Sequence, residues 1–319
     1  IVQNLRIGKK GFLGTTPALL GLLPIPGGAL FSAPLIEKGG KELEGHVKMG
    51  INVWFRHILF FIYPLAPALF IPADIAGLNV YKIVVIQIPL FALTIFLGYF
   101  FFLRKAEGEL EYTGSFSLKE LLIPIFVILT APILDFTLSS FFNFPVNNLT
   151  TFIAIGSSLV LGVYFSGMYI KNRKSMMIDA IKDMKPWNFT VMMLGIYTFI
   201  NMFKATNIGS LISNLALPGI ALSIGVGFLL GVATGRINLP ASIIIPIYIT
   251  TLGLSSLPLV VFALIFFSVF MGYVITPVHP CVGISLEYFD ADMNKFLRLM
   301  LEPVLISLAI AVLVYFLLV

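Results

Sequence analysis

Long apolar runs recur along the chain and are separated by short polar loops. The 319 residues are 59% hydrophobic and only 11% charged, a composition too apolar for a soluble surface. The runs reach about 20 residues, the length that an α-helix needs to cross roughly 30 Å of hydrocarbon. The alternating short strands that mark a transmembrane barrel are absent from the sequence. The pattern therefore predicts an all-α, polytopic membrane protein.

The spacing of the runs predicts both continuous and interrupted helices. Continuous helices are predicted over residues 80–103, 121–142, 149–170, 187–203 and 296–319. Prolines and glycines interrupt the other runs, at residues 11–36, 47–71 and 217–252 and, near Pro277, in the run that begins at Leu257. Since Pro and Gly stop a helix, these segments are predicted to break within the apolar region.

The basic loops give the orientation of these segments. If residues 11–36 and 217–252 are re-entrant hairpins that return to the side they entered, most of the 20 Lys and Arg residues share one side. These residues lie in the loops 1–10, 37–48, 104–120, 171–186 and 287–298. The positive-inside rule makes that side cytoplasmic, so we expect a multi-pass protein of the cell membrane.

The two halves of the chain also repeat each other. The segment YPLAPALFIPAD from Tyr63 is similar to HPCVGISLEYFD from His279, with Pro64 opposite Pro280 and Asp74 opposite Asp290. The predicted topology runs the two segments in opposite directions, which makes the repeat inverted, as in many secondary transporters. We expect a first repeat over 1–103, a cytoplasmic linker over 104–120 and a second repeat over 121–319. About three helices upstream of Ile1 would complete the first repeat.

Three segments carry a family resemblance: LLPIPGGALFSAPLIEKGG, ATGRINLPASIIIPI and TPVHPCVGISLEYF. They resemble an uncharacterised prokaryotic membrane family, a domain of unknown function, of the ion-transporter superfamily. That superfamily includes divalent-anion and dicarboxylate symporters, and the resemblance implies paired hairpins, homodimers and an elevator motion. The hairpin tips here, Pro24 to Gly28 and Gly235 to Pro240, depart from the Ser-Asn-Thr tips of those symporters, which leaves the substrate and sodium coupling open.

The two hairpin tips are the predicted substrate site. A break at membrane depth frees backbone groups, and the helices that restart after each break point their positive N-terminal ends inward, which favours an anion. Arg236 adds a planar guanidinium for anion capture. The predicted substrate-binding residues are Gly27, Gly28, Ser32, Gly235, Arg236, Asn238 and Ser242.

A coupling ion is predicted beside the substrate. Thr234, Asn238 and His279 are the candidate ligands, with sodium held by hydroxyl, amide and freed carbonyl oxygens. His279 keeps proton coupling as the alternative, because histidine titrates near neutral pH. We expect no cofactor other than this ion.

The sequence favours a secondary active transporter of a small anionic solute over the other functions that we considered. A channel is the first alternative, but the inverted repeat with opposed hairpins favours alternating access. An intramembrane enzyme is less favoured: Cys281 lies near His279, yet no His-Glu-x-x-His pattern is present among the three histidines. We expect no nucleic-acid partner, because the net charge of +5 comes from basic residues in the loops.

Overall fold

The computed structural model describes residues 7–22, 28–110, 118–141, 149–166 and 217–319, with isolated positions between 191 and 205. Regular structure in these residues is helical, which confirms the all-α prediction. The chain divides into two units, one of residues 1–8 with 109–186 and one of residues 9–108 with 187–319. The division into repeats predicted from the sequence stays a prediction.

The larger unit begins with short helices and one long helix. These are α1 (Lys9–Gly21), α2 (Ala29–Gly39), α3 (Gly45–His57), α4 (Pro67–Ile75) and α5 (Val80–Phe101). A 3₁₀ turn, Ile58–Phe61, follows α3, and another, Leu103–Lys105, follows α5. The predicted interruption of the run 47–71 is confirmed, because the 3₁₀ turn Ile58–Phe61 and the non-helical residues 62–66 separate α3 from α4.

The second half of the larger unit has a similar order. A π-helical segment, Ala221–Val226, leads into α8 (Gly227–Thr234), which is followed by α9 (Asn238–Thr251), α10 (Leu259–Ile275), α11 (Pro280–Tyr288) and α12 (Met293–Leu318). The break near Pro277 is confirmed between α10 and α11. The last helix begins at Met293 instead of Phe296, because the Asp292 carboxylate caps it by accepting from the N–H groups of Asn294 and Lys295.

The smaller unit contains two helices that pack on each other, α6 (Leu118–Phe141) and α7 (Leu149–Ser166). Thr151 donates a hydrogen bond of 2.8 Å to the Asp135 carboxylate, and Ser158 donates one of 2.7 Å to the carbonyl of Val127. These bonds satisfy polar groups on otherwise apolar helices. The predicted helix 187–203 and the polar segment before it lie outside the described residues, apart from isolated positions.

Four helices in the described part of the chain are long and apolar enough to cross a membrane: Val80–Lys105, Leu122–Phe141, Leu259–Tyr288 and Met293–Leu318. They agree with the predicted spanning segments. The third of them joins α10 and α11 across the break. The structure is therefore compatible with a polytopic membrane protein.

Helix α10 is the core of the larger unit. Each residue from Val261 to Val274 is buried, as expected for a helix that is apolar on all sides. Helix α8 packs against it at one glycine from each helix, Gly231 of α8 and Gly272 of α10. A Cβ atom on Gly231 would collide with the carbonyl of Val269, and one on Gly272 would collide with the carbonyl of Phe228, so the backbones of α8 and α10 touch.

Helices α1 and α2 form a hairpin. Lys9, at the start of α1, pairs at 2.7 Å with Glu42, just beyond the end of α2, and Phe12 packs against Gly39. Helices of 13 and 11 residues are about 20 and 17 Å long, which is shorter than the hydrocarbon of a bilayer. The Lys9 ammonium also donates to the carbonyl of Glu107 at 2.6 Å.

Helices α8 and α9 form a second hairpin. Its open end is closed by packing of Gly219, before α8, against Leu252 and Tyr248 at the end of α9. The left-handed Gly235, with φ of 58°, ends α8 at the tip.

The open ends of the two hairpins lie at opposite ends of α12. The Lys295 ammonium, in the first turn of α12, is 3.8 Å from Glu44 beside the first hairpin. The Tyr315 hydroxyl, in the last turn, is 3.3 Å from that of Tyr248 beside the second. The rise along α12 between Lys295 and Tyr315 is about 30 Å.

The segments around α4 and α11 share one local structure. Each helix has 9 residues and starts with proline, Pro67 or Pro280. A residue with positive φ follows each helix, Gly77 at 65° and Asp290 at 43°. The next long helix is then capped by Asn79 or Asp292.

This shared structure corrects the alignment of the two segments. It pairs Pro67 with Pro280 and Pro64 with Pro277, so that a Pro-x-x-Pro pattern matches in both segments. The alignment of Pro64 with Pro280 is wrong by three residues. It matched Asp74 with Asp290, but Asp74 lies inside α4 whereas Asp290 lies beyond the end of α11.

Candidate functional site

Three buried polar side chains connect α2, α3 and α11. Ser32 donates a hydrogen bond of 2.6 Å to the Asn52 side-chain oxygen. The Asn52 amide donates to the Ser285 hydroxyl at 2.9 Å and to the carbonyl of Ala29 at 3.2 Å. All three side chains are fully buried. Since buried polar groups need partners, this network fixes the three helices relative to one another.

Arg56 lies one helical turn beyond Asn52 on the same face of α3. Only 4% of the residue is exposed. One guanidinium nitrogen donates to the carbonyl of Leu20 at 3.2 Å, and the other lies 3.5 Å from the Ser32 hydroxyl. Gly21 packs directly on the Arg56 carbonyl, which explains how α1 approaches α3 so closely.

Arg56 has no acidic partner among the described residues. The basic residues that form ion pairs there are Lys9, His46, Lys48 and Lys295. A buried charge without a counter-charge is costly. A guanidinium in this position is suited to a bound anion, which its planar fork can hold with two hydrogen bonds.

Two histidines and the cysteine lie next to Arg56. The rings of His57 and His279 are 5.0 Å apart, edge to face, and Tyr273 packs on His279 at 4.1 Å. The Cys281 sulfur is 3.9 Å from Nε2 of His57. Cys281 lies in the first turn of α11, which packs on α2 and α3.

The ring of His279 is buried, and neither of its nitrogens has a hydrogen-bond partner in the described part of the chain. His279 precedes α11 but its side chain does not cap the helix. Because most buried imidazole nitrogens are hydrogen-bonded, this pair marks a place where a ligand or ion would be stabilised.

Both hairpins touch the segment that carries His279 and Cys281. A Cβ atom on Gly235 would lie 2.9 Å from the backbone nitrogen of His279, so the tip of the second hairpin rests on this segment. Helix α2 of the first hairpin packs on α11, and the Asn52 amide donates to both the Ala29 carbonyl and the Ser285 hydroxyl. The structure thus brings the tip of the second hairpin and the start of α2 to the same segment.

The predicted residues of the first hairpin and His279 lie in this site. Gly28 is buried at the start of α2, Ser32 belongs to the polar network, and His279 faces His57. Gly27 lies outside the described residues.

The predicted residues of the second hairpin are bonded mainly to their own helices. Thr234 donates to the carbonyl of Leu230 at 2.8 Å, and Ser242 to that of Asn238 at 2.6 Å. The Asn238 side chain accepts from the N–H of Leu239 at 3.0 Å. Arg236 is exposed on this chain. The binding roles of these residues stay predictions.

Asn52 and Arg56 are the residues that the sequence analysis missed. The signal was present, since Arg56 lies in the apolar stretch INVWFRHILFF, away from the basic loops. A charged residue inside an apolar run is itself a candidate functional residue.

The chain matches the family described as "Protein of unknown function (DUF401)" over residues 6–318. This match covers nearly the whole chain and confirms the predicted membership of a domain-of-unknown-function family. No curated protein matches the chain.

Proposed function

The chain belongs to the family described as Protein of unknown function (DUF401), and we propose that it is a secondary active transporter of a small anionic solute. The observation that carries this proposal is the buried Arg56 guanidinium, which has no carboxylate partner among the described residues and faces a cluster of uncharged polar groups. An anion would supply the missing counter-charge.

The start of α2 strengthens the proposed anion site. The first turn of α2 contains Ser32, whose hydroxyl lies 3.5 Å from the Arg56 guanidinium. The N–H groups in the first turn of a helix and its positive dipole end favour a negative charge. The Ser32 and Asn52 donors are already bonded within the polar network, so the Arg56 guanidinium and the free N–H groups at the start of α2 would hold the oxyanion.

Alternating access is the proposed mechanism. The hairpins α1–α2 and α8–α9 are too short to span a bilayer, and their open ends lie at opposite ends of α12. We interpret them as re-entrant hairpins that enter from opposite faces. The matched segments around α4 and α11 support an inverted repeat. An elevator-type movement of the two hairpins, with the site between them, would expose that site to each side in turn.

The remaining features of the proposal follow the predicted family resemblance. We propose kinship with the ion-transporter superfamily and its divalent-anion symporters, a homodimer with elevator motion in the inner membrane, and sodium ahead of protons as the coupling ion. Arg236 at the second tip would meet the anion in one of the two access states, and Gly28 and Gly235 would allow close backbone approach.

The anion site can be tested by ligand-dependent stability. Inorganic and organic anions are screened with and without sodium, using the thermal unfolding of the purified chain in detergent, because a ligand that binds the folded state raises the unfolding temperature. We expect one anion class to stabilise the wild-type protein. Arg56→Gln should lose that stabilisation, and Arg56→Lys should retain part of it, since a lysine keeps the charge but not the fork.

Arg104→Gln is the matched control, since Arg104 is exposed and lies over the Phe100 ring at 4.3 Å. It should respond to the anion as the wild-type protein does. An undiminished response of a folded Arg56→Gln variant would remove Arg56 from the site.

Transport itself distinguishes the candidate functions. In proteoliposomes we expect saturable uptake of the stabilising anion and counterflow, which a channel does not give. Uptake should fall when sodium is replaced by another cation, whereas dependence on the proton gradient alone would favour proton coupling through His279. Conversion of the solute without transport would favour an enzyme.

A further inference from the structure

We propose that His57, His279 and Cys281 form a binding site for one soft or borderline transition-metal ion, such as Zn²⁺ or Cu⁺. The three potential ligand atoms lie within 4.8 Å of one another, and both histidines are buried. This proposal concerns a resident metal ion beside the proposed anion site, and it is tested by metal binding alone, without reference to transport.

The distances suit a metal ion with little rearrangement. Zinc binds histidine nitrogen at about 2.0–2.1 Å and cysteine sulfur at about 2.3 Å, so ligand atoms around one tetrahedral ion lie about 3.3–3.8 Å apart. The Cys281 sulfur is already 3.9 Å from Nε2 of His57. Since the three ligand atoms lie within 4.8 Å of one another, closing the remaining separations requires a contraction of at most about 1.5 Å.

The His57 ring is already oriented as a ligand. Its Nδ1 lies 3.2 Å from the carbonyl of Val53, and because a carbonyl only accepts, Nδ1 carries the proton. The lone pair is then on Nε2, the nitrogen that faces Cys281. Metal-binding histidines are commonly held in this way, with the second ring nitrogen donating to a carbonyl or carboxylate.

His279 is the second, independent observation. Both of its ring nitrogens are buried without a partner in the described part of the chain, and unsatisfied buried polar groups destabilise a fold. Coordination by one nitrogen would satisfy it. The neighbouring Tyr273 ring, at 4.1 Å, encloses the face of the imidazole and keeps water away.

The chemistry of the three ligands selects the type of metal. A thiolate and two imidazoles suit Zn²⁺ and Cu⁺, whereas Mg²⁺ and Ca²⁺ require oxygen ligands. Cysteine binds such metals as the thiolate, so binding of the ion would displace the Cys281 proton. Three protein ligands leave one position open, as in zinc sites that bind water or a substrate.

Metal binding by the full-length protein tests this site. The chain, purified in detergent and stripped with a chelator, is titrated with Zn²⁺ or, under reducing conditions, with Cu⁺, and metal content is measured by elemental analysis. We expect one ion per chain. His279→Ala and Cys281→Ser should each weaken binding at least tenfold. His46→Ala is the control: His46 lies outside the cluster, beside Glu44, and its replacement should leave metal binding unchanged.

A spectroscopic probe keeps the test independent of mutant folding. Co²⁺ bound to the wild-type protein should show a thiolate-to-cobalt charge-transfer band, and the conservative Cys281→Ser should remove it. A wild-type protein that binds no Zn²⁺, Cu⁺ or Co²⁺ would overturn the proposal, as would stoichiometric binding without the thiolate band. Anion-induced stabilisation of the metal-free protein would leave the transport proposal standing in that case.

Discussion

Asn52 is the residue on which the arrangement of the site depends. Its amide both donates and accepts, so one side chain can bind Ser32 on α2, Ser285 on α11 and the carbonyl of Ala29. A serine or an apolar residue of similar size cannot make these three bonds. Because the site is buried, any bond that is lost leaves a polar group without water to replace its partner.

Replacing Asn52 should therefore destabilise the fold. We expect Asn52→Ala to lower the free energy of unfolding by about 1–3 kcal/mol, the cost of leaving buried polar groups unsatisfied. The unfolding temperature in detergent measures this effect. Asn294→Ala is the control, since Asn294 is exposed at the start of α12 and should stay close to wild type. Equal stability of the two variants would show that water replaces the network.

At the scale of elements, the contact between α8 and α10 depends on the absence of side chains. Gly231 and Gly272 bring the two backbones together, and the space for a methyl group is taken by backbone carbonyls. Backbone atoms cannot rotate away as a flexible side chain can, so the helices themselves would have to separate.

Gly272→Ala should be destabilising by about 1–3 kcal/mol, the usual effect of overpacking. Gly283→Ala is the matched control because Gly283 is an exposed position of α11 and a Cβ atom there would have no neighbour within 4 Å. The control should be neutral or slightly stabilising, as alanine favours a helix over glycine. Thermal unfolding of both variants checks the prediction, and an unaffected Gly272→Ala would contradict the close packing.

The cap of α12 should give a pH-dependent contribution to stability. The backbone N–H of Lys295 is the main cause of the lowered pKa of Asp292, relative to its usual 3.8. A lowered pKa in the folded state means that the ionised cap stabilises the fold above pH 3.8 and that this contribution is lost as the pH falls through the folded-state pKa.

Asp292→Ala should therefore unfold at a lower temperature than the wild-type protein at neutral pH, and the difference should shrink at acidic pH. Unfolding of both proteins across a pH series provides the measurement. Asp290→Asn, two residues earlier and outside the cap, controls for charge alone, because asparagine tolerates the positive φ of 43° at this position. A difference between Asp292→Ala and wild type that is constant with pH would contradict an ionised cap.

At the scale of the whole molecule, four of the loops predicted to share the cytoplasmic side have contacts that bring them together. Lys9 binds Glu42 and the carbonyl of Glu107, and Lys295 lies 3.8 Å from Glu44. The loop after α9 lies near the opposite end of α12, where Tyr248 meets Tyr315. This separation is what two opposed hairpins require.

Chemical labelling of whole cells can test this topology. In a Cys281→Ser background, Ser256→Cys should react with a membrane-impermeant maleimide from outside, whereas Lys41→Cys should react only after the membrane is opened. Both positions are exposed on the chain. Labelling of both positions from the same side would rule out the proposed pair of opposed hairpins.

The sequence by itself determined the helices and their breaks, because these depend on local signals. Apolar runs of about 20 residues specify spanning helices, and proline and glycine stop them wherever they fall, as at residues 276–279. Local sequence also placed Ser32 and His279 among the candidates. It misaligned Pro64 with Pro280, however. The correct alignment depends on where α4 and α11 end, and the sequence did not show those ends.

Only the tertiary structure decided which polar residues meet. Asn52 and Ser285 are separated by 233 residues, and Cys281 and His57 by 224, so no local pattern links them. Arg56 is a candidate anion ligand because the described fold buries it without an acidic partner. Pairing between distant segments depends on how the helices pack around α10, and packing is a property of the assembled chain that composition and periodicity do not contain.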